Sequence, residues 1–170
     1  EWAKKAEDMA GQGFRILAVA DKSVQNLQEN PYDQLRFLGL VGLFDPPRKE
    51  VLNSIQECRS AGIKVVMVTG DQPATAASIA KQTGIVQDGE PEVIHGSELK
   101  DPDQMTSEDR SRLLKASVFA RVSPEQKLHL IKLMQEEGQT VAMTGDGVND
   151  APALKKADIG VAMGRRGTDA

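Results

Sequence analysis

Short apolar runs alternate with segments of helical spacing along most of this chain. The runs that predict strands cover residues 14–20, 37–43, 63–68, 92–94, 117–120, 140–143 and 159–163. The segments that predict helices cover residues 1–10, 50–61, 73–82, 107–115, 124–137 and 151–156. Because strands and helices alternate from residue 35 onward, we expect an α/β fold of Rossmann-like type, with a mostly parallel sheet and helices on both of its faces.

A polar stretch divides the chain near residue 34. Residues 21–34 are mostly polar and contain Asn30-Pro31, which predicts a loop. We therefore expect residues 1–34 to form a small separate unit with a linker, and residues 35–170 to form the main domain. A second polar stretch, residues 86–106, predicts an insertion with a short strand near its middle.

The composition of the chain argues against several classes of protein but does not identify a function. The net charge of -4 argues against a nucleic-acid-binding protein, because such proteins usually carry a basic excess. The single cysteine, Cys58, excludes an internal disulfide. No apolar run approaches the roughly 18 residues that a membrane-spanning helix needs, so we expect a soluble chain. The sequence starts without methionine, in a segment with helical spacing, and we expect it to be a piece of a longer protein.

Two predicted strands run into the same tripeptide. Residues 63–68 are followed by Thr69-Gly70-Asp71, and residues 140–143 by Thr144-Gly145-Asp146. In a parallel sheet, strands end on one rim, and ligands bind there. The hydroxyls and backbone N–H groups of such turns can hold phosphate oxygens. The carboxylates would repel phosphate unless a cation lay between them, and oxygen ligands of this kind suit Mg²⁺.

Acidic side chains are crowded after the second of these strands. Asp146, Asn149 and Asp150 fall within five positions, and their mutual repulsion requires a metal ion or a lysine nearby. Lys127 is the candidate cation, because it lies near the start of the helix between the two strands. Arg121 is a second candidate, since it also follows a strand. Each aspartate could alternatively be a helix cap, but two matching turns favour a site.

Four motifs in this order resemble the P-type ATPases, a family of cation pumps within the haloacid dehalogenase superfamily. They span most of the chain from residue 35 onward, and their spacing most resembles the type II pumps. The motifs are Asp45-Pro46-Pro47-Arg48, Met67-Val68-Thr69-Gly70-Asp71, Phe119-Ala120-Arg121-Val122-Ser123-Pro124 with Lys127, and Met143-Thr144-Gly145-Asp146-Gly147-Val148-Asn149-Asp150-Ala151-Pro152-Ala153-Leu154.

The resemblance implies a role for each residue at the phosphoryl end of the site. Thr69 would hydrogen-bond the transferred phosphoryl group, and Gly70 would let the backbone approach it. Lys127 would neutralise its charge, and Asn149 would contact its oxygens. The same resemblance implies that Asp146 ligates Mg²⁺ and that Asp150 orients Lys127 and supports the metal site.

The resemblance also implies an ATP-binding group of residues. Asp45 and Arg48 would lie at the hinge between the nucleotide-binding and phosphorylation domains. Asp71 would support either the nucleotide or its own turn, and Arg15 would reach the ATP phosphates. Residues 1–34 would then be the end of the nucleotide-binding domain, and residues 35–170 the carboxyl-terminal part of the phosphorylation domain. Both would face the cytoplasm in an integral membrane protein.

One departure from the family concerns the nucleophile. The pattern Asp-Lys-Thr-Gly-Thr, which supplies the phosphorylated aspartate in the family, is absent from this sequence. In the family it lies on the central strand of the sheet, so we expect a gap between the strands at 63–68 and 140–143. Three outcomes are open: the gap closes, residues 14–20 fill it, or another chain fills it by self-association or by binding the rest of the pump.

Two other functions stay open on sequence grounds. A soluble phosphatase of the same superfamily would need its own nucleophilic aspartate, and neither Asp21 nor Asp45 has the required pattern around it. A non-catalytic module that binds nucleotide or metal would need none. The isolated chain should therefore be inactive, whereas the intact parent would use ATP and Mg²⁺ to transport a cation.

Overall fold

The computed structural model describes residues 1–24, 26, 28, 30–87, 89–145 and 148–163. Its helices are α1 (Trp2–Gly11), α2 (Val51–Ser60), α3 (Pro73–Gln82), α4 (Ser107–Lys115), α5 (Pro124–Glu136) and α6 (Ala151–Lys156). Its strands are β1 (Arg15–Asp21), β2 (Arg36–Leu43), β3 (Met67–Val68), β4 (Val93–His95), β5 (Val118–Ala120), β6 (Ala142–Gly145) and β7 (Ile159–Ala162).

A three-stranded parallel sheet forms the centre of the fold, in the order β3-β5-β4. Its middle strand is fully buried, as the apolar sequence Val118-Phe119-Ala120 requires. Val118 and Ala120 point to one face, where they pack with Ala76 and Ala80 of α3. Phe119 points to the other face. The prediction of an α/β fold with a parallel sheet and helices on both faces is therefore confirmed.

The main hydrophobic core lies on the Phe119 side of this sheet, beneath α4 and α5. Both helices begin with a capping box, at Thr106 for α4 and at Ser123 for α5. In each box the hydroxyl accepts a hydrogen bond from a backbone N–H and satisfies a free donor of the first turn. The buried members of this core are Ile94, Leu99, Leu113, Ala116, Phe119, Val122, Leu130, Leu133 and Met134.

Strands β6 and β7 form a second parallel sheet, which is separate from the first. A groove of about 560 Å³ lies between β3 and β6. We call it the inter-sheet groove, and it is lined mainly by apolar side chains. Its lining comprises Gly62, Ile63, Lys64, Val66, Val68, Lys127, Leu130, Ile131, Met134, Gln139, Thr140, Val141, Ala142, Met143 and Ile159.

The predicted strand at 63–68 is therefore shorter than expected. Only Met67 and Val68 pair, with Val118 and Phe119. Residues 63–66 lie outside any ladder, and three of them, Ile63, Lys64 and Val66, line the groove. The reason is that β5 begins only at Val118, so the earlier residues have no neighbour on that side. The expected gap between the two site-bearing strands is thus present as a groove.

Strand β2 differs from the prediction that placed it in the parallel sheet. It pairs antiparallel with β1, with a register shift between Val19 and Ala20. One face of this hairpin packs on α1, where the rings of Trp2 and Phe37 lie 5.1 Å apart. Because β1 pairs with β2, residues 14–20 do not fill the inter-sheet groove. The hairpin also joins residues from both sides of the predicted division at residue 34, and that division stays a prediction.

Among the described helices, none combines the length and apolar character needed to cross a bilayer.

Truncating a core side chain should destabilise the domain. Leu133 of α5 is fully buried, with 0% of its surface exposed. We expect Leu133→Ala to lower the free energy of unfolding in urea by about 2–5 kcal/mol, because it removes apolar contacts and leaves a cavity. Leu52→Ala is the control, because Leu52 is helical and 42% exposed. It should cost about 1 kcal/mol or less. Equal losses in the two variants would contradict the assigned core.

The carboxylate of Asp158, directly before β7, should make stability depend on pH. Asp158 accepts hydrogen bonds from the backbone N–H of Val141 at 2.8 Å and from the Gln135 side chain at 3.2 Å. These bonds hold the pKa of Asp158 below its ordinary value of 3.8. A lowered native pKa stabilises the fold fully above the unfolded pKa, and this contribution is lost as pH falls through the native pKa.

The Asp158→Asn variant should therefore be less stable than the unmutated chain at pH 7. The difference in free energy of unfolding between the two proteins should shrink as the pH falls below 3.8, because Asp158 of the unmutated chain then becomes protonated and loses its negative charge. Urea titrations of both proteins across this pH range measure it. A difference that stays constant with pH would show that the charge of Asp158 has no part in the contact.

Candidate active site

The inter-sheet groove opens at the carboxyl ends of its flanking strands, beside the two predicted turns. Lys127 lines the groove together with Val68 and Met143. Val68 immediately precedes Thr69, and Met143 immediately precedes Thr144. The capping box at Ser123 fixes the first turn of α5, which carries Lys127. The structure therefore places this amine between the ends of β3 and β6.

Lys127 and Asp150 form a short ion pair in this position. The ammonium nitrogen lies 2.5 Å from Oδ1 of the carboxylate, and the two side chains are only 15% and 13% exposed. A pair so shielded from solvent is held firmly, because losing one partner leaves an uncompensated charge in a poorly hydrated place. Asp150 ends a 3₁₀ turn at Val148–Asp150 and directly precedes α6.

Gly145 lets the Asp150 side chain fold back onto the end of β6. A Cβ atom at residue 145 would lie 2.6 Å from Cβ of Asp150, which is closer than real contacts allow. Only glycine therefore fits under this carboxylate. The close approach explains on steric grounds why the Thr-Gly-Asp turn after β6 needs its glycine.

The turn after β3 is organised by the Thr69 hydroxyl. This hydroxyl donates to Oδ2 of Asp71 at 2.9 Å and accepts from the Asp71 backbone N–H at 3.1 Å. Gly70 is exposed, and a Cβ there would meet no atom within 4 Å. Of the two roles predicted for Asp71, this contact supports the one in which it stabilises its own turn.

Arg121 follows β5 in a conformation that is unusual for a residue with a side chain. Its φ is 54°, in the left-handed region that disfavours every residue except glycine. Two hydrogen bonds hold the segment, since the N–H of Arg121 donates to the carbonyl of Asp71 and that of Val122 to the carbonyl of Thr69, each at 3.0 Å. The Arg121 side chain is exposed. Strained backbone of this kind often marks functional sites.

The remaining predicted residues are exposed, begin β1 or lie outside the described residues. Arg15 begins β1 opposite Leu43, and Asp45 and Arg48 are exposed beyond β2. Asn149 is exposed beside Asp150. Asp146 lies outside the described residues, so its predicted role as a metal ligand stays a prediction.

Within the described part of the chain, no three His, Cys, Asp or Glu side chains lie close enough together to hold a metal ion. Asp150 is an acidic side chain beside Lys127, which lines the groove, and its Oδ1 already faces the amine. A single carboxylate still fits Mg²⁺, which takes one or two carboxylates and keeps several waters. The donor set is thus compatible with the predicted metal.

Sequence reasoning did not single out Gly96, which follows β4 on the same rim. The backbone here lies against the Arg121 carbonyl. A glycine directly after a strand, at the ligand-binding end of a sheet, is the signal that could have identified it.

Comparison with known proteins supports the resemblance. The family model for haloacid dehalogenase-like hydrolases matches residues 1–158. Cation-transporting ATPase pma1 of Synechocystis sp. is 47% identical to the chain, over 99% of the chain and 19% of its own length. Calcium-transporting ATPase 1 of Bacillus cereus is 47% identical, over 96% of the chain and 18% of its own length.

A further relative transports other ions. The sodium/potassium-transporting ATPase subunit alpha-A of Artemia franciscana is 42% identical, over 95% of the chain and 20% of its own length. The chain thus spans about a fifth of the length of these relatives. On its sequence and its parallel α/β sheet, the chain belongs to the haloacid dehalogenase-like hydrolase family and is similar to one segment of the cation-transporting P-type ATPases.

Proposed function

We propose that this chain is the phosphoryl-handling part of an ATP-driven cation pump, in which it faces the cytoplasm. The observation that carries the proposal is the shielded Lys127–Asp150 pair at the inter-sheet groove, which lies between β3 and β6. Phosphoryl transfer needs positioned positive charge more than covalent help from the protein. An amine held in a fixed place by a carboxylate meets that need.

Each residue near the pair has a role in this proposal. Lys127 neutralises the negative charge of the phosphoryl group, and Asp150 holds the amine in place. Thr69 and Asn149 contact the phosphoryl oxygens, and Gly70 leaves space for them above the turn. Arg121 adds a second positive charge on the same rim. Mg²⁺, held by Asp150 and Asp146, would supply further charge neutralisation when bound.

ATP would approach from the side of the hairpin. Arg15 and Asp45 both lie at one end of the β1–β2 ladder, because Arg15 pairs with Leu43 and Asp45 follows two positions later. Arg48 comes soon after in the chain. We propose that these three side chains contact the nucleotide, whereas Asp71 stabilises the turn that carries Thr69.

The inter-sheet groove supports the proposal that the nucleophilic aspartate comes from another segment of the parent protein. Adjacent strands in a sheet lie about 4.8 Å apart, and each free edge offers unpaired N–H and carbonyl groups. An extended segment between β3 and β6 would pair with both edges. If the segment ran parallel to β3, its carboxyl end would lie next to Thr69 and Lys127, where an aspartate could accept the phosphoryl group.

Removing the charge of Lys127 should weaken phosphate binding. Lys127→Gln keeps a donor for Asp150, which limits the loss of stability, but it removes the positive charge. We expect the dissociation constant for inorganic phosphate, measured by calorimetry with Mg²⁺ present, to rise about tenfold or more, equivalent to about 1.4 kcal/mol. Lys115→Gln is the control, since Lys115 is exposed at the end of α4. Equal effects of both variants would contradict a specific site.

The isolated chain should form no phosphoenzyme. After incubation with γ-labelled ATP and Mg²⁺, we expect no acid-stable label on the protein, because a nucleophilic aspartate is required and its motif is missing. A longer protein that includes the missing segment should become labelled. Label on the isolated chain would overturn the proposed absence of the nucleophile.

The alternative functions predict different results in the same preparation. Hydrolysis of a small phosphomonoester by the isolated chain would favour a soluble phosphatase. Binding of phosphate or Mg²⁺ by the isolated chain, with no phosphoenzyme even in the longer protein, would favour a non-catalytic binding module.

A further inference from the structure

Gly96 occupies a position on the sheet rim where no side chain fits. It is buried directly after β4 and begins the 3₁₀ turn Gly96–Glu98. A Cβ atom at this position would lie 2.2 Å from the carbonyl oxygen of Arg121 and 2.6 Å from Oε1 of Gln126. Both distances are far below van der Waals contact, so any substitution must displace one or both of these groups.

The contact with Arg121 leads to the Thr69 turn. Arg121 has the left-handed φ of 54° and therefore little freedom to rearrange. Its N–H donates to the carbonyl of Asp71, and the next N–H, that of Val122, donates to the carbonyl of Thr69. A displacement of the Arg121 carbonyl would therefore be passed through two hydrogen bonds to the residues on either side of Gly70.

The contact with Gln126 leads to Lys127. Oε1 of Gln126 accepts from the backbone N–H of Ser123 at 2.9 Å, and the Ser123 hydroxyl accepts from the N–H of Gln126 at 3.3 Å. This capping box defines the start of α5. Lys127 is the next residue, so a shift of the Gln126 side chain disturbs the helix turn from which the amine extends.

We propose that Gly96 is a positioning residue that sets the Thr69 turn and the Lys127 amine at the correct separation. Gly96 contacts the Arg121 carbonyl, which is linked to the Thr69 turn, and the Gln126 side chain, which belongs to the capping box before Lys127. This role rests on the proposed function, because it matters only if Thr69 and Lys127 act on one phosphoryl group. Small misplacements of such groups have large effects on phosphoryl chemistry.

The test compares Gly96→Ala with Gly11→Ala. Gly11 is the matched control, because a Cβ there meets no atom within 4 Å. For both variants, backbone amide shifts and the affinity for inorganic phosphate with Mg²⁺ are measured on the folded chain. We expect Gly96→Ala to shift the amides of Val122 and Lys127 and to weaken phosphate binding about tenfold. Gly11→Ala should leave these amide shifts and the phosphate affinity unchanged.

The outcomes separate this role from the proposed function. Unchanged Val122 and Lys127 amides in Gly96→Ala would overturn the positioning role, whatever the chain binds. Shifted amides with unchanged phosphate affinity would also overturn it, while a loss of affinity in Lys127→Gln would leave the proposed function intact. If neither the unmutated chain nor its Lys127→Gln variant binds phosphate, both proposals fail.

A second variant covers the case in which Gly96→Ala does not fold. Gln126→Ala removes the capping side chain beside Gly96 without adding an atom to the crowded position. We expect it to shift the Lys127 amide, to leave that of Thr69 in place, and to weaken phosphate binding about threefold, because only one of the two supports is lost. Unchanged phosphate affinity in folded Gln126→Ala would overturn the proposal.

Discussion

The site depends on an ion pair that joins two sheets with no ladder between them. Lys127 extends from α5, which covers the three-stranded sheet, and Asp150 follows the strand β6 of the other sheet. Close to the far end of the groove, Gln135 of α5 donates to the carbonyl of Lys156 and to Asp158. Side chains of a single helix thus hold β6 and β7 at a defined distance from β3, as the backbone of a continuous sheet would otherwise do.

The other ion pairs among the described residues are more exposed to solvent, and they connect surface segments of the fold. Lys132 of α5 contacts Asp101 and Asp103 and so connects the polar insertion to this helix. Arg110 of α4 contacts Glu136 at the end of α5. Exposed pairs of this kind contribute little to stability. The least solvated of these charges thus lie at the rim where the parallel strands end. This is the expected location of a ligand site in a sheet of this type.

Local signals in the sequence predicted the helices well and the strands less well. The predicted bounds of α3, α4 and α6 agree with the structure, because prolines such as Pro73 and caps such as Thr106 act within one turn. Residues 63–66 have the composition of a strand, but a strand also needs a neighbour, and composition does not report one. For the same reason β2 was assigned to the parallel sheet, although its partner is β1.

The candidate site shows the same limit. The resemblance pointed to Lys127 and Asp150, and the structure brings them into contact. Neither composition nor spacing pointed to Gly96, because its closeness to Arg121 arises from the packing of β4 beside β5, which lie more than 20 residues apart. Contacts of this range are set by the tertiary fold, so the sequence marks Gly96 only as a glycine that directly follows a strand, and does not show that the position is needed for space.

If a segment of a longer protein completes the sheet parallel to β3, as proposed, its connections affect how the native state forms. A strand that lies between two parallel neighbours must be linked to them by long crossover connections. Its contacts are therefore remote along the chain, which raises the contact order and slows folding. Until such a strand was in place, the edges of β3 and β6 would stay open to any other extended polypeptide. The interval between synthesis and completion of the sheet is thus the period in which aggregation competes most strongly with folding.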